Sequence, residues 1–199
     1  MKIDKMLTIQ KSPTHDELYE GCRRRKPKAQ KALYDNLAPK MLGVCLRYLK
    51  DKEEAEHVMI GGFVKVFEKI DQYKGDGSFE GWIRRIMVNE SLMYLRRSQP
   101  LSVDVDIAEV EGELDYDQLD QSLNAEDLLK LITELPVGYK TVFNLYAIEG
   151  FNHAEIAEKL GISENTSKSQ LSRARKLLQA KLAKLEYNST LKVSTNGNQ

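Results

Sequence analysis

Apolar residues recur along most of the chain at intervals of three and four, which is the spacing of one face of an α-helix. One such stripe runs between Glu53 and Ile70. Its members are Ala55, Val58, Met59, Phe63, Val66, Phe67 and Ile70. No convincing alternating pattern of a β-strand occurs outside an acidic segment near the middle. We therefore predict an all-α protein in which this stripe lies in the core.

Turn and capping residues divide the pattern into further helices. Two or three helices are predicted between Asp16 and Leu49. Ser78 follows a glycine-rich turn and is predicted to cap a helix that runs to Arg97. In the second half, helices are predicted over AEDLLKLITEL and over about 137–148, 153–160 and 164–185, with Pro136, Gly150 and Gly161 between them.

An acidic segment separates the two sets of helices. Between Ser98 and Asp127 there are ten acidic residues and no lysine or arginine, so both flanking halves are net basic although the whole chain has a formal charge of zero. The segment has no dominant helical stripe, which favours a flexible linker, although a short helix there is also possible. We predict two small helical domains with these bounds: 1–15 extension, 16–97 first domain, 98–123 acidic linker, 124–186 second domain and 187–199 disordered tail.

Composition excludes several classes of protein. No apolar run approaches the roughly 20 residues that span a bilayer, and the N-terminus lacks a secretory apolar core, so we expect a cytoplasmic protein without membrane insertion. The two cysteines, Cys22 and Cys45, are predicted to be buried, reduced thiols. His15, His57 and His153 are scattered and no phosphate-binding glycine loop occurs, so we expect no enzyme activity, metal or cofactor.

The strongest motif is a helix-turn-helix in HAEIAEKLGISENTSKSQLSRARKLL. Small Ala157 lets two helices approach, and Gly161 permits the left-handed turn between them. The apolar residues of the last helix cluster on one side, and its opposite side carries Ser169, Ser172, Arg173 and Lys176, flanked by Lys168 and Arg175. Hydroxyl and cationic groups together can bind base edges and phosphates in the major groove of DNA. The alternative is an ordinary solvated helix face.

The run LPVGYKTVFNLYAIEGFNHAEIAEKLGISENTSKSQLSRARKLL resembles the C-terminal promoter-binding domain of extracytoplasmic-function (ECF) sigma factors of the sigma-70 family. The resemblance implies recognition of the minus-thirty-five promoter element. The residues that it places at this DNA are Asn165, Thr166, Lys168, Ser169, Ser172, Arg173 and Lys176. Ser167 departs from the apolar residue found there in many helix-turn-helix proteins, and we expect only softer packing.

The run EEAEHVMIGGFVKVFEKIDQYKGDGSFEGWIRRIMVNESLMYLRR is similar to the sigma domain that binds core RNA polymerase and melts the minus-ten element. The minus-ten residues that this implies are Tyr73, Lys74, Arg84, Arg85, Asn89, Arg96 and Arg97. Among them, Arg85, Asn89 and Arg96 lie within about 40° of one another on a helix, a basic ridge suited to single-stranded DNA. Phe79, Trp82, Ile83 and Ile86 are interpreted as core residues.

The resemblance also implies a polymerase-binding surface, formed by Arg47, Glu56, His57, Ile60, Gly61 and Lys65. Family members usually carry acid, glutamine and acid where this chain has His57, Ile60 and Gly61. The implied partners are the beta and beta-prime subunits of core RNA polymerase, promoter DNA and an anti-sigma factor. The alternative function is a sigma-like DNA-binding regulator or decoy with impaired polymerase docking, which those three residues favour.

Overall fold

The computed structural model describes residues 15–98 and 125–196, and the surroundings of the side chains over 17–98 and 128–184. The N-terminal module contains α1 (His15–Arg23), α2 (Pro27–Leu46), α3 (Lys52–Glu68), a 3-10 turn (Ile70–Gln72) and α4 (Phe79–Ser98). The C-terminal module contains α5 (Ala125–Thr133), α6 (Val137–Phe143), a π-helical turn (Asn144–Ile148), α7 (His153–Leu160) and α8 (Glu164–Asn196). These ranges contain helices and no strand, which confirms the all-α prediction with two helical domains.

Two helices of the N-terminal module, α3 and α4, begin at capping side chains. Asp51 accepts a hydrogen bond from the Glu54 backbone N–H at 2.9 Å, and Ser78 accepts one from Gly81 at 3.0 Å, so the predicted cap at Ser78 is confirmed. The apolar stripe of α3 lies in the core as predicted, and α3 packs against α2 and α4. Its members are buried except Phe67, which is half-buried. Ile70 is buried too, but it lies in the 3-10 turn that follows α3.

An aromatic cluster anchors the loop between the 3-10 turn and α4. The Tyr73 ring lies 5.1–5.8 Å from those of Phe79 and Trp82, and Tyr19 packs edge-on against it. Phe79 and Ile83 are buried, and Trp82 is half-buried against the core. The interpretation of these residues as core is therefore confirmed, because they pack on one another.

Two adjacent glycines of α3 have different surroundings. Gly62 is buried, and a Cβ atom added there would overlap the Sδ atom of Met87 on α4. Gly61 is exposed, and a Cβ atom added there would meet nothing within 4 Å. The close approach of α3 and α4 thus leaves no room for a Cβ atom at position 62 unless the Met87 side chain shifts, whereas position 61 has room for one.

The helix-turn-helix forms as predicted. Asn152 and Glu155 make a reciprocal capping box at the start of α7, and Gly161 ends the helix with a φ of 68°, the left-handed conformation that glycine adopts readily. Ser163 accepts a hydrogen bond from the Thr166 backbone N–H at 3.0 Å and so caps α8. Ile156 is fully buried between the two helices, and Ile162 is partly buried against the same core.

Two predictions about the second half need correction. Helix α8 continues to Asn196, well past the predicted end near 185, so a disordered tail was wrong for residues 187–196. The helix predicted over 137–148 is α-helical only to Phe143. From Asn144 to Ile148 it is a π-helical turn, in which each hydrogen bond spans five residues instead of four. The N-terminal extension to residue 14 and the linker from residue 99 to 123 lie outside the described residues. The domain bounds stay predictions.

The predicted cysteine state agrees with the fold. Cys22 on α1 and Cys45 on α2 are free thiols with no exposed surface, and burial raises the pKa of Cys22 to about 11. Within the parts of the chain that the structure describes, no helix is both long enough and apolar enough to cross a bilayer.

Candidate nucleic-acid interface

Helix α8 carries a polar strip opposite its buried face. Leu171, Ala174 and Leu178 point into the core of the module and are at most 5% exposed. The predicted minus-thirty-five residues lie on the other side, all exposed except half-buried Thr166: Asn165, Thr166, Lys168, Ser169, Ser172, Arg173 and Lys176. The structure therefore brings these residues together on one accessible helix face, as a major-groove helix requires.

Local contacts limit the freedom of some of these side chains. The Ser169 hydroxyl donates to the Thr166 carbonyl at 3.0 Å, so this hydroxyl is occupied within the helix. Lys168 lies 3.8 Å from Glu164, one turn earlier. Arg173 lies 3.5 Å from the Tyr139 hydroxyl. The exposed pair of Lys168 with Glu164 is weak, since water competes for both groups, and a DNA phosphate can replace Glu164.

Ser167 has a specific partner that the sequence did not reveal. Its side chain is fully buried, and its hydroxyl lies 2.9 Å from Nδ1 of His153, the first residue of α7. The His153 ring stacks on Tyr146 at 4.8 Å, and Arg175 of α8 lies 5.7 Å from the Tyr146 ring centre. The prediction that Ser167 only softens packing was therefore incomplete. A hydrogen bond joins α7 to α8 where an apolar contact was expected.

The predicted minus-ten residues lie in two different environments. Arg85, Asn89, Arg96 and Arg97 are exposed on α4, and Lys74 is exposed in the preceding loop. Tyr73 is packed in the aromatic cluster and its hydroxyl donates to the Gly77 carbonyl at 2.7 Å, so its ring shapes the loop. Arg84 is engaged by a carboxylate of the C-terminal module, Glu149, with nitrogen–oxygen distances of 2.9 and 3.0 Å.

A cleft of about 210 Å³ lies where α4 meets the C-terminal module. Arg85 and Asn89 line one side of it, and Phe151, Glu155 and Lys159 line the other. Lys159 also lies 4.5 Å from the centre of the Phe151 ring, a cation–π contact. Two of the residues predicted to bind minus-ten DNA, Arg85 and Asn89, therefore lie beside the other module, although both side chains remain exposed.

Five of the six predicted polymerase-binding residues share α3. His57 and Gly61 are exposed, and Ile60 and its neighbour Val64 are 52% and 51% exposed. Glu56 pairs with Lys52 at 3.6 Å and Lys65 pairs with Glu90 at 2.7 Å. Arg47 is separate from them. It follows the end of α2, and Glu149 holds its guanidinium at 3.1 Å.

Two polar residues at the junction of the modules were missed by the sequence analysis. Glu149 bridges Arg47 and Arg84, and Asn144 donates from Nδ2 to the Arg47 carbonyl at 2.7 Å. Asn144 is fully buried. Its position in the sequence does not indicate this, because polar residues of an amphipathic helix usually face solvent. Glu149 precedes Gly150 in a polar turn, a position typical of solvent-exposed residues, so no periodic signal marked it.

Comparisons with known proteins agree on both modules. The family model for Sigma-70 region 2 matches residues 33–100, and the model for Sigma-70 region 4 matches residues 125–178, together more than half of the chain. The chain is 27% identical to the ECF RNA polymerase sigma-E factor of Haemophilus influenzae, over 86% of this chain and 97% of that protein. It is 28% identical to the ECF RNA polymerase sigma factor SigW of Bacillus subtilis, over 77% and 88%.

A solved structure is similar at lower identity. The sigma factor RpoE of Bartonella quintana, co-crystallised with the anti-sigma factor NepR, is 22% identical, with a TM-score of 0.47 over 77% of this chain and 96% of that one. The two domain matches, in this order and beside full-length ECF relatives, decide the family. The chain belongs to the sigma-70 family, in its extracytoplasmic-function group, and is an RNA polymerase sigma factor that directs promoter-specific transcription initiation.

Proposed function

We propose that three helices have different binding partners: α8 binds the minus-thirty-five element, α4 binds separated minus-ten DNA, and α3 docks on core RNA polymerase. The observation that carries the proposal is the accessible polar strip of α8, opposite a face that is at most 5% exposed. A helix that packs one face against the core and exposes hydroxyls and cations on the other is suited to bind in the major groove of DNA.

For the minus-thirty-five element, the proposal assigns base contacts to Arg173 and Ser172 and phosphate contacts to Lys168 and Lys176. Arginine donates two hydrogen bonds in a fixed geometry, which matches the O6 and N7 acceptors of guanine. Lysine acts as a point charge and suits phosphates. The bond between Ser167 and His153 fixes α8 against α7, so the strip enters DNA at a defined angle.

For the minus-ten element, the proposal assigns the exposed ridge of Arg85, Asn89 and Arg96, with Arg97 and Lys74 beside it, to the separated strand. Cations along such a ridge follow the phosphates, and the Asn89 amide can hydrogen-bond to an unstacked base. Tyr73 acts in this proposal by holding the loop before α4, since its hydroxyl is bonded to the Gly77 carbonyl. Arg84 becomes available only when Glu149 releases it.

For core polymerase, the proposal assigns the exposed face of α3 to the beta and beta-prime subunits. Ile60 and Val64 are about half exposed in an otherwise charged surface, and exposed apolar side chains next to one another are typical of protein interfaces. The docking would then depend less on charge than in relatives with acids at these positions. The same replacements support the second candidate, a sigma-like regulator or decoy that binds DNA without polymerase.

The remaining partners follow from membership of the family. An anti-sigma factor that covers these surfaces is part of the proposal, and the cytoplasm is the expected location because polymerase and DNA are there. We expect no chemistry by the chain itself, so its effect on transcription arises from binding alone.

Alanine variants of two arginines should distinguish sequence-specific DNA binding from general DNA binding. Arg173→Ala should weaken binding to the promoters that the wild-type holoenzyme selects from a random library, by about 1–3 kcal/mol, with little loss on other DNA. Arg96→Ala should weaken binding to all DNA more evenly and lower the slope of log affinity against log salt by about one. The measurement is a fluorescence titration of holoenzyme at several salt concentrations.

Lys184→Ala is the matched control, because Lys184 is an exposed cation on α8 beyond the proposed strip. It should leave both affinities almost unchanged. Equal losses on all DNA for Arg173→Ala would contradict the assignment of Arg173 to base contacts and would make it a phosphate contact.

A further inference from the structure

Glu149 joins the two modules through a pair of arginines. Its Oε1 atom lies 3.1 Å from Arg47 and 2.9 Å from Arg84, and its Oε2 atom accepts a second bond from Arg84 at 3.0 Å. The Glu149 side chain is 9% exposed and that of Arg47 is 19% exposed. The carboxylate is therefore largely shielded from water, and it makes a two-bond contact with the Arg84 guanidinium, whose side chain is 37% exposed. Two-bond contacts of guanidinium with carboxylate are among the stronger polar contacts of proteins.

A hydrogen bond and an apolar contact support the same arrangement. Asn144, fully buried, donates to the Arg47 carbonyl at 2.7 Å. Val142, Leu145 and Ile156 of the C-terminal module belong to one continuous apolar cluster with the core of the N-terminal module. The modules therefore pack on each other through a shared apolar core, and the ion pairs of Glu149 join them beside this core.

This closed arrangement occupies residues that the proposed function needs. Arg84 is a candidate for minus-ten DNA and Arg47 a candidate for polymerase, and one carboxylate holds both. Arg85 and Asn89 line the cleft between the modules. Carboxylate and phosphate both accept two hydrogen bonds from guanidinium, so Glu149 lies where a DNA phosphate could bind Arg84.

The closed arrangement also has a cost. Among the described side chains, four at this junction bury a polar atom that has no hydrogen-bonding partner in the protein: Arg47 Nε, Tyr48 Oη, Lys140 Nζ and Asn144 Oδ1. Each such atom loses its hydrogen bonds to water on burial and gains none in the protein, so it opposes the closed arrangement. Lys140 also experiences the positive charge of Lys50 in the N-terminal module. The ion pairs of Glu149 stabilise the closed arrangement, and the buried polar atoms without partners oppose it. A ligand that competes for the arginines can therefore open the junction.

We propose that the chain has a closed, self-blocked state in which Glu149 substitutes for a DNA phosphate on Arg84 and withholds Arg47, and that polymerase and promoter DNA bind after Glu149 is released. This inference rests on the proposed function for the identity of the blocked partners. The closed state lowers the apparent affinity for each partner by the fraction of molecules that are open.

The test compares full-length Glu149→Lys with full-length Glu158→Lys. Both variants change a glutamate to lysine in the C-terminal module, but Glu158 is exposed on α7, so the added positive charge is matched. Glu149→Lys places a third cation beside two arginines and should open the chain. We expect a larger radius of gyration in small-angle X-ray scattering, and affinity for purified bacterial core polymerase at least about fivefold tighter than that of Glu158→Lys.

Asn144→Ala removes a different contact across the junction and should shift both readouts in the same direction, with helix content checked by circular dichroism. An unchanged radius of gyration in Glu149→Lys would overturn the closed state. A larger radius with affinity equal to that of Glu158→Lys would overturn the blocking of polymerase. Absence of polymerase binding by every chain, including wild type, would instead overturn the proposed function, because the scattering result does not depend on polymerase.

Discussion

Lys140→Met is expected to raise the free energy of unfolding by about 1–3 kcal/mol at pH 7. The Lys140 side chain is fully buried on α6, and its amine has no hydrogen-bonding partner in the protein. Burial, and secondarily the charge of Lys50, lowers the pKa of Lys140 to about 8 from 10.5. At pH 7 most folded molecules still carry this buried charge, which methionine, of similar length and without charge, removes.

The pH dependence of this gain has a definite sign. The pKa of Lys140 is lower in the folded state than in the unfolded state, so the folded state binds this proton more weakly. Below about pH 8 the lysine is charged in both states, and the folded state bears the full free-energy cost of the buried charge. Between about pH 8 and pH 10.5 the folded lysine is neutral while the unfolded lysine is still charged, so the stability of the wild type rises toward that of the variant. The advantage of Lys140→Met should therefore shrink as pH rises through this range.

Urea denaturation at pH 7 and at pH 9.5 measures both effects, and Lys130→Met is the matched control because Lys130 is exposed on α5. The control should show neither a gain at pH 7 nor a change with pH. A less stable Lys140→Met variant would mean that the amine makes a favourable contact through water, and it would contradict the assigned cost.

Alanine at the two adjacent glycines of α3 should have opposite effects. Gly61→Ala should stabilise the N-terminal module by about 0.5–1 kcal/mol, because position 61 has open space and alanine favours helix. Gly62→Ala should destabilise it by about 1 kcal/mol or more. The new Cβ atom overlaps Met87, whose side chain is fully buried, and such overpacking costs about 1–3 kcal/mol.

The midpoints of urea unfolding, followed by circular dichroism, compare the two variants with wild type. Each variant serves as the control of the other, since both make the same chemical change one residue apart. Stabilisation by both alanines would show that Met87 moves aside at little cost, and the close approach of α3 to α4 would then not explain Gly62. The opposite signs would separate a glycine needed for packing from one that is not.

Much of the fold follows from local sequence rules. The stripe of α3, the cap at Ser78 and the turn at Gly161 depend on residues within a few positions of one another, and the structure confirms each. The end of α8 was predicted too early, because the polar segment after Leu185 has no apolar stripe, and helix continues there without one. Periodicity detects helices whose sequence carries an apolar stripe and misses segments whose sequence carries none.

The candidate site was predictable only in part. The strip of α8 follows from the rotation of one helix, and this rotation alone places Arg173 and its neighbours on one face. Glu149 with Arg84, and His153 with Ser167, are pairs separated by 65 and 14 residues. Such pairs depend on how the modules and helices pack, and a single sequence carries no periodic signal for them. Lys140 is similar, because nothing in its local pattern indicates burial.

Run-off transcription with purified bacterial core polymerase on a promoter library is the most direct test of the central claim. The wild-type chain should bind polymerase and start transcripts at a defined class of promoters, and Arg173→Ala should lose that class. The variant His57→Asp, Ile60→Gln, Gly61→Glu, which restores the charges usual in the family, runs alongside as the reference for docking. Initiation by this variant alone would contradict the account and favour a regulator or decoy that binds DNA without polymerase.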